Sequence, residues 1–308
     1  LLTDCSHPLD DWTLTTVPRP DLPVQHDIFF INKEIGFTVG NYGTINKTED
    51  GGRSWQLIHH GNFDNYITRM SLGSIHFINE QQGFITGVCF VCSDFDDEAD
   101  LGAIFLKTED GGNTWEKRYF ENFKNMGDIY FINSEIGYGI FTIESPEGTV
   151  TQKLMETKNG GEDWTEVDIP ISRIESYRLV STPSKLYFFA TDSVDKSILV
   201  FLDKADNTWH IEALPETYCN RLYFVNDEVG FLTCGVFVTT FPETVYKTED
   251  GGHSWTEIDA PMNSYSSMHF SSLEDGFIMT PVHEQSGHFS EKVAFDVYQT
   301  NNGGIDWK

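Results

Sequence analysis

Short apolar runs alternate with polar turns along the whole chain, and the alternation itself recurs. The segment Ile28-Phe-Phe-Ile-Asn-Lys-Glu-Ile-Gly-Phe37 has two apolar stretches around a polar four-residue turn. The same pattern returns at 75–84, 129–138, 222–231 and 268–277, and 179–188 aligns with it without gaps but lacks the glycine. Such segments predict β-hairpins, because apolar runs this short, bounded by turn residues, suit strands better than helices.

A second pattern follows each hairpin. It reads Thr48-Glu-Asp50-Gly-Gly52-Arg-Ser-Trp55 in its first copy. The frame recurs through Thr108, Asp110, Gly112 and Trp115, and through Thr157, Asn159, Gly161 and Trp164. It appears again in Thr248, Asp250, Gly252 and Trp255, and in Thr300, Asn302, Gly304 and Trp307. A sixth copy, 202–209, keeps only Asn207-Thr208-Trp209. Successive tryptophans fall 45 to 60 residues apart, a period typical of propeller blades. One further strand leads into each motif and another follows each tryptophan, as in Trp164-Thr-Glu-Val-Asp-Ile-Pro170, so each repeat supplies four strands. The expected fold is all-β: a β-propeller of six four-stranded blades, with seven as the alternative. Residues 12–18 mirror 164–170 and 255–261, while the last repeat stops at Lys308, so an N-terminal strand is expected to complete the last blade. On this reading residues 1–11 are a tether and 12–308 a single propeller domain.

The pattern Ser/Thr-x-Asp-x-Gly-x-x-Trp resembles the Asp box (BNR repeat) of sialidases, sortilin luminal domains and xyloglucanases. The first repeat, Gly36-Phe-Thr-Val-Gly40-Asn-Tyr-Gly43-Thr-Ile followed by Thr48-Glu-Asp-Gly-Gly52, is similar to the photosystem II assembly and stability factor propellers and their non-photosynthetic bacterial relatives. The resemblance implies a structural Asp box. The carboxylates of Asp50, Asp110 and Asp250 are expected to accept backbone N–H groups within a turn, with the threonine hydroxyl helping. Asn159 and Asn302 can accept the same bonds through their amide oxygens, which suits structure and not acid catalysis. Each tryptophan is expected to pack between blades and, if fully buried, to contribute on the order of 4–6 kcal/mol by area.

Composition narrows the function classes. The formal charge is −28, from 48 acidic and 20 basic residues, which argues against nucleic acid and against an anionic membrane surface. No apolar run reaches the roughly 18 residues of a membrane helix, so a soluble monomer is expected. The five cysteines form no zinc pattern, and Cys89 and Cys92 make a lone CxxC inside a strand-like segment. Cys5, after Leu1-Leu2-Thr3-Asp4, resembles the lipid-bearing cysteine of a bacterial lipoprotein. This leads to an exported, periplasmic or cell-surface protein that touches membrane only through that anchor. In such a compartment Cys219 and Cys234, at the two arms of one hairpin, are candidates for a disulfide.

Candidate sites fall on the face opposite the Asp boxes, where loop length varies. Asp94, Asp96 and Asp100 lie in an acidic loop that is a candidate for calcium, although EF-hand spacing is missing; no other cofactor is expected. Aligning the first strands places Asp27, Ser74, Asp128, Arg178, Arg221 and Ser267 at one level. The two aspartates and two arginines read either as a salt-bridge ring or as an anion site with guanidinium forks, with Tyr218 nearby. Arg221 has Arg178 and Ser267 as its neighbours at that level, so any acid that meets it must come from another strand position. The expected function is a non-catalytic binding or assembly scaffold for a protein or glycan ligand. The alternative is a sialidase-like glycoside hydrolase, for which only seven arginines and no Arg-Ile-Pro segment near the N-terminus are available.

Overall fold

The computed structural model describes residues 24–59, 70–89, 102–145, 147–174, 178–235, 243–262, 267–270, 272–282 and 294–308. These form six antiparallel sheets, the blades of a six-bladed β-propeller. The first blade comprises β1 (Gln25–Phe30), β2 (Gly36–Gly40), β3 (Ile45–Thr48) and β4 (Gln56–His59). The second comprises β5 (Met70–Phe77), β6 (Gly83–Cys89), β7 (Gly102–Thr108) and β8 (Glu116–Phe120). The third comprises β9 (Asn125–Phe131), β10 (Gly137–Glu144), β11 (Val150–Thr157) and β12 (Thr165–Glu166).

The fourth blade departs from the four-strand expectation. Its first strand is broken into β13 (Arg173–Ile174) and β14 (Val180–Ser181), both paired with β15 (Lys185–Thr191), and β16 (Ser197–Asp203) and β17 (Thr208–Ala213) follow. The fifth comprises β18 (Cys219–Phe224), β19 (Gly230–Cys234), β20 (Thr244–Thr248) and β21 (Thr256–Ile258). The sixth has three described strands, β22 (Ser267–Phe270), β23 (Asp275–Val282) and β24 (Ala294–Asn301). The closing strand expected from residues 12–18 lies outside the described residues, as does the tether 1–11. The chain divides into two compact units, 1–150 with 155–165, and 151–154 with 166–308.

Five of the six hairpins are built around one aromatic–glycine pairing; the fourth, whose segment lacks the glycine, pairs Ser181 with Leu186 there. Phe30, Phe77, Phe224 and Phe270 pair across the hairpin with Gly36, Gly83, Gly230 and Gly276. A Cβ on Gly83 would meet the Phe77 ring at 2.5 Å, so the ring lies flat over the glycine. The other face of that ring stacks on an aromatic of the preceding blade. Phe37 stacks on Phe77 with centroids 4.8 Å apart, Tyr187 on Phe224 at 4.2 Å and Phe231 on Phe270 at 4.5 Å. Such pairs add about 0.5–1.5 kcal/mol each beyond area burial. Alternation does the rest. In the second blade Ile85, Ile104 and Leu106 face the first blade, while Phe84, Ala103 and Phe105 face the third.

The tryptophans correct one expectation. Among the described tryptophans only Trp164 is buried, at 9% exposure; the others are half-buried. They stand edge-on to the hairpin phenylalanines, as Trp115 does to Phe77 at 6.1 Å and Trp255 to Phe224 at 6.4 Å. The half-buried rings keep part of their surface in solvent, so their contribution falls below the full-burial figure.

Candidate functional site

The Asp box joins the third and fourth strands, and its buried hub is the threonine. Thr48, Thr108, Thr157, Thr248 and Thr300 are each 1% exposed. The Thr48 hydroxyl donates to Asp50 Oδ1 at 2.8 Å and accepts the Gly52 N–H at 2.9 Å. Asp50 then accepts the Ser54 N–H at 2.9 Å through Oδ1 and the Ser54 hydroxyl at 2.6 Å through Oδ2. Gly51 donates its N–H to the Glu34 carbonyl of the hairpin turn at 2.8 Å, and the equivalent bond recurs in the other intact boxes. Both turns therefore lie on one face. Gly112 shows why the box needs glycine: its φ is 81°, and an added Cβ would meet the Phe37 ring at 2.7 Å.

Where asparagine replaces the box aspartate, polarity reverses. Asn159 Oδ1 accepts the Thr157 hydroxyl at 2.9 Å and the Asp163 N–H at 3.0 Å, while its Nδ2 donates to Asp163 Oδ2 at 3.0 Å. Asn302 does the same with Asp306. The pairing is thus Asp with Ser or Thr four residues on, or Asn with Asp. The degenerate fourth box instead uses Asn207 in the left-handed conformation, φ 60°, with Asp206 capping Thr208.

These bonds set the acidity of the box. The Ser54 hydroxyl and N–H and the Thr48 hydroxyl hold Asp50 down to about 2, and Thr114 and Thr108 do the same for Asp110. At Asp250 partial burial pulls upward, but the Ser254 and Thr248 bonds outweigh it and the value is again about 2.

On the opposite side, the aligned level of the first strands coincides with a repeated β-bulge. The register shifts between Gln25 and Asp27, between Leu72 and Ser74, and between Cys219 and Arg221, leaving His26, Gly73 and Asn220 as extra residues. A bulge re-aims the side chain beside it. Asp27 uses this to cross to the next blade: its Oδ2 accepts the Ile75 N–H at 2.9 Å and its Oδ1 the Ile28 N–H at 2.9 Å. Asp128 is half-buried on β9, and Arg178 is exposed ahead of β14. Tyr218 is 60% exposed, and its carbonyl accepts the Gly235 N–H at 2.9 Å.

Arg221 does meet an acid from another strand position. Its Nη1 lies 3.7 Å from Oε2 of Glu243, whose side chain is 1% exposed. Beside it, Cys219 and Cys234 pair in register and form a disulfide. In the first two blades a glycine, Gly40 or Gly87, holds the position of Cys234, where the strands approach too closely for a Cβ. Cys89 is disulfide-bonded as well. Asp94, Asp96, Asp100 and Cys5 lie outside the described residues, and among the described residues no group of three or more His, Cys, Asp or Glu is placed to hold a metal.

A family model described as photosynthesis system II assembly factor YCF48 matches residues 6–117. A search of curated proteins finds no match. Among solved structures the chain is similar to YCF48 bound to D1 peptide, with 19% identity over 84% of this chain and 91% of that one and a TM-score of 0.49. It is also similar to the Niastella koreensis GH74 enzyme, with 14% identity over 76% of this chain and 38% of that one and a TM-score of 0.51. The Trypanosoma rangeli sialidase in complex with the inhibitor DANA matches with 8% identity over 93% of this chain and 54% of that one, TM-score 0.49. With its repeated boxes, its six blades and this family match, the chain is a BNR-type Asp-box β-propeller similar to the photosystem II assembly factor YCF48.

Proposed function

We propose that this protein is a non-catalytic propeller scaffold that holds a protein partner, working as an exported monomer in the periplasm or at the cell surface. The observation that carries this reading is the use of the box acids inside their own turns. Asp50, Asp110 and Asp250 accept three hydrogen bonds apiece, from a Thr hydroxyl and from the N–H and hydroxyl of the residue four positions on. Asn159 and Asn302 fill the same place without an acid. The family match adds the partner class, since an assembly factor handles other proteins. The disulfide between Cys219 and Cys234, and the bonded state of Cys89, favour an oxidising compartment. A lipid on Cys5 would tether the protein there; acyl labelling that is lost in Cys5→Ser tests that part.

The test of the scaffold reading pairs two measurements on the full chain. Photocrosslinking from exposed surface positions in cells is expected to give a discrete protein adduct, and a fluorogenic sialoside is expected to stay intact. Sialoside turnover that disappears in Arg221→Ala, with the fold retained, would establish the hydrolase reading instead.

A further inference from the structure

Asparagine is followed by glycine at two places in the sequence, 159–160 and 302–303, and both fall in the boxes where asparagine stands in for aspartate. The turn imposes the glycine. Gly160 and Gly303 have φ of 71° and 69°, and a Cβ on Gly160 would meet the Ser134 carbonyl oxygen at 2.8 Å. An amide at the box position is therefore followed by a residue with no side chain to shield its nitrogen. Such a pair is prone to lose ammonia, because the bare glycine nitrogen can attack the asparagine Cγ.

In the folded turn both partners of that reaction are engaged. The Gly160 N–H donates to the Glu135 carbonyl and the Gly303 N–H to the Glu274 carbonyl, each at 2.9 Å. Both glycines are buried. A nitrogen held this way must break its hydrogen bond before it can give up its proton and attack. The Asn159 amide is held as well, by the Thr157 hydroxyl, the Asp163 N–H and the Asp163 carboxylate. Thr300 and Asp306 hold the Asn302 amide in the same way. Any rotation of either amide for attack breaks these bonds.

We propose that Asn159 and Asn302 are latent deamidation sites, gated by local opening of their own boxes, and that the conversion is one-way. When the third box opens, the Gly160 nitrogen bonds to Asn159 Cγ, the Cγ–Nδ2 bond breaks, and Nδ2 leaves as ammonia with the proton from Gly160. Water then opens the resulting five-membered imide at either carbonyl and leaves aspartate or isoaspartate. Asn302 and Gly303 react likewise, and water is the only co-reactant. Neither product can close the turn as before. Aspartate sets a second carboxylate against Asp163 or Asp306, where Nδ2 had donated at 3.0 Å, and isoaspartate adds a methylene to the main chain of the turn. Asp50, Asp110 and Asp250 have no amide to lose, so among the intact boxes this reaction is confined to the third and sixth blades.

The full chain is incubated at mildly alkaline pH, folded or in guanidinium chloride, and conversion at each site is followed by mass spectrometry of its peptide. Both sites are expected to convert at least about tenfold faster in denaturant, the ratio that an opening free energy of ~1.4 kcal/mol imposes. Folded Thr157→Val removes the hub hydroxyl from the third box alone. It is expected to raise conversion at Asn159 about tenfold and leave Asn302 at its wild-type rate, and Thr300→Val should do the reverse. Chain converted in denaturant and then refolded should melt below wild type. Equal rates in folded and unfolded chain overturn the gating, as does a rise at both sites in either variant, because one box would then open the whole chain. Conversion in denaturant no faster than at the other asparagines overturns the site assignment. A converted, refolded chain with the wild-type midpoint overturns the one-way step.

Discussion

The reversed polarity of two Asp boxes makes a sharp mutational test. In the third box Asn159 Nδ2 donates to Asp163 Oδ2 at 3.0 Å. Asn159→Asp replaces that donor with a carboxylate and sets two negative charges about one hydrogen-bond length apart. In bulk water that repulsion is about 1.4 kcal/mol, and the lower effective dielectric near a protein surface raises it. The lost charge-assisted hydrogen bond adds roughly 1–2 kcal/mol. Relaxation of exposed side chains offsets part of the total, so Asn159→Asp is expected to destabilise by about 1.5–3 kcal/mol at pH 7. The second substitution is the decisive part. Asp163→Ser in the Asn159→Asp background recreates the arrangement of Asp50 with Ser54 and is expected to recover most of the loss. Urea unfolding followed by tryptophan fluorescence reads both variants. An unchanged midpoint in Asn159→Asp, or no recovery in the double variant, would refute the donor–acceptor reading.

Three further outcomes follow from the same geometry. Thr248→Val keeps the shape of the hub but leaves the buried Gly252 N–H without its 2.9 Å acceptor, and should cost about 1–3 kcal/mol by thermal denaturation, more than the exposed Asp250→Ala. Asp50, Asp110 and Asp250 are held near 2 against an ordinary 3.8, so their contribution is complete above about pH 4 and is lost as pH falls through about 2; an acid titration of the melting temperature should drop in that window. Thiol counting under denaturing conditions should find fewer than five free thiols, and reduction should lower stability by about 2–4 kcal/mol, the range for closing a loop of 15 residues.

Most of the blade architecture was legible because two short patterns recur in fixed order. The hairpin with its Phe–Gly pair and the box with its glycines each leave a mark within ten residues of sequence. The fourth blade's broken first strand was less so: its segment 179–188 had visibly lost the glycine, but nothing in it announced that Arg173–Ile174 would share the pairing. The threonine hydroxyl was expected to assist the aspartate; that it is the buried centre of the box depends on burial, which the motif does not spell out. The Asn-with-Asp exchange is written in the sequence, at Ser54, Thr114 and Ser254 against Asp163 and Asp306, the position just before each box tryptophan that the motif leaves unspecified. The pairing of Arg221 with Glu243 had no such mark. The two stand 22 residues apart in sequence, and aligning first strands alone compares only residues at one level, so an acid just before β20 falls outside the comparison.

The direction of the acidities bears on the choice between scaffold and hydrolase. A glycosidase of the two-carboxylate kind needs one carboxyl raised enough to donate a proton near neutrality, which burial or a neighbouring anion supplies. Among the described residues every carboxyl with a resolved shift moves the other way. Asp192, Asp206 and Glu147 are lowered by hydrogen bonds from their own turns. Asp227 and Asp250 are pulled up by burial and still end below the ordinary value, because turn N–H and hydroxyl groups outweigh it. To recruit a box aspartate for proton transfer, the fold would have to release the bonds from Thr48 and Ser54, or their equivalents, that hold the turn closed. The same bonds that make the repeat recognisable therefore keep its carboxylates ionised and occupied within their own turns.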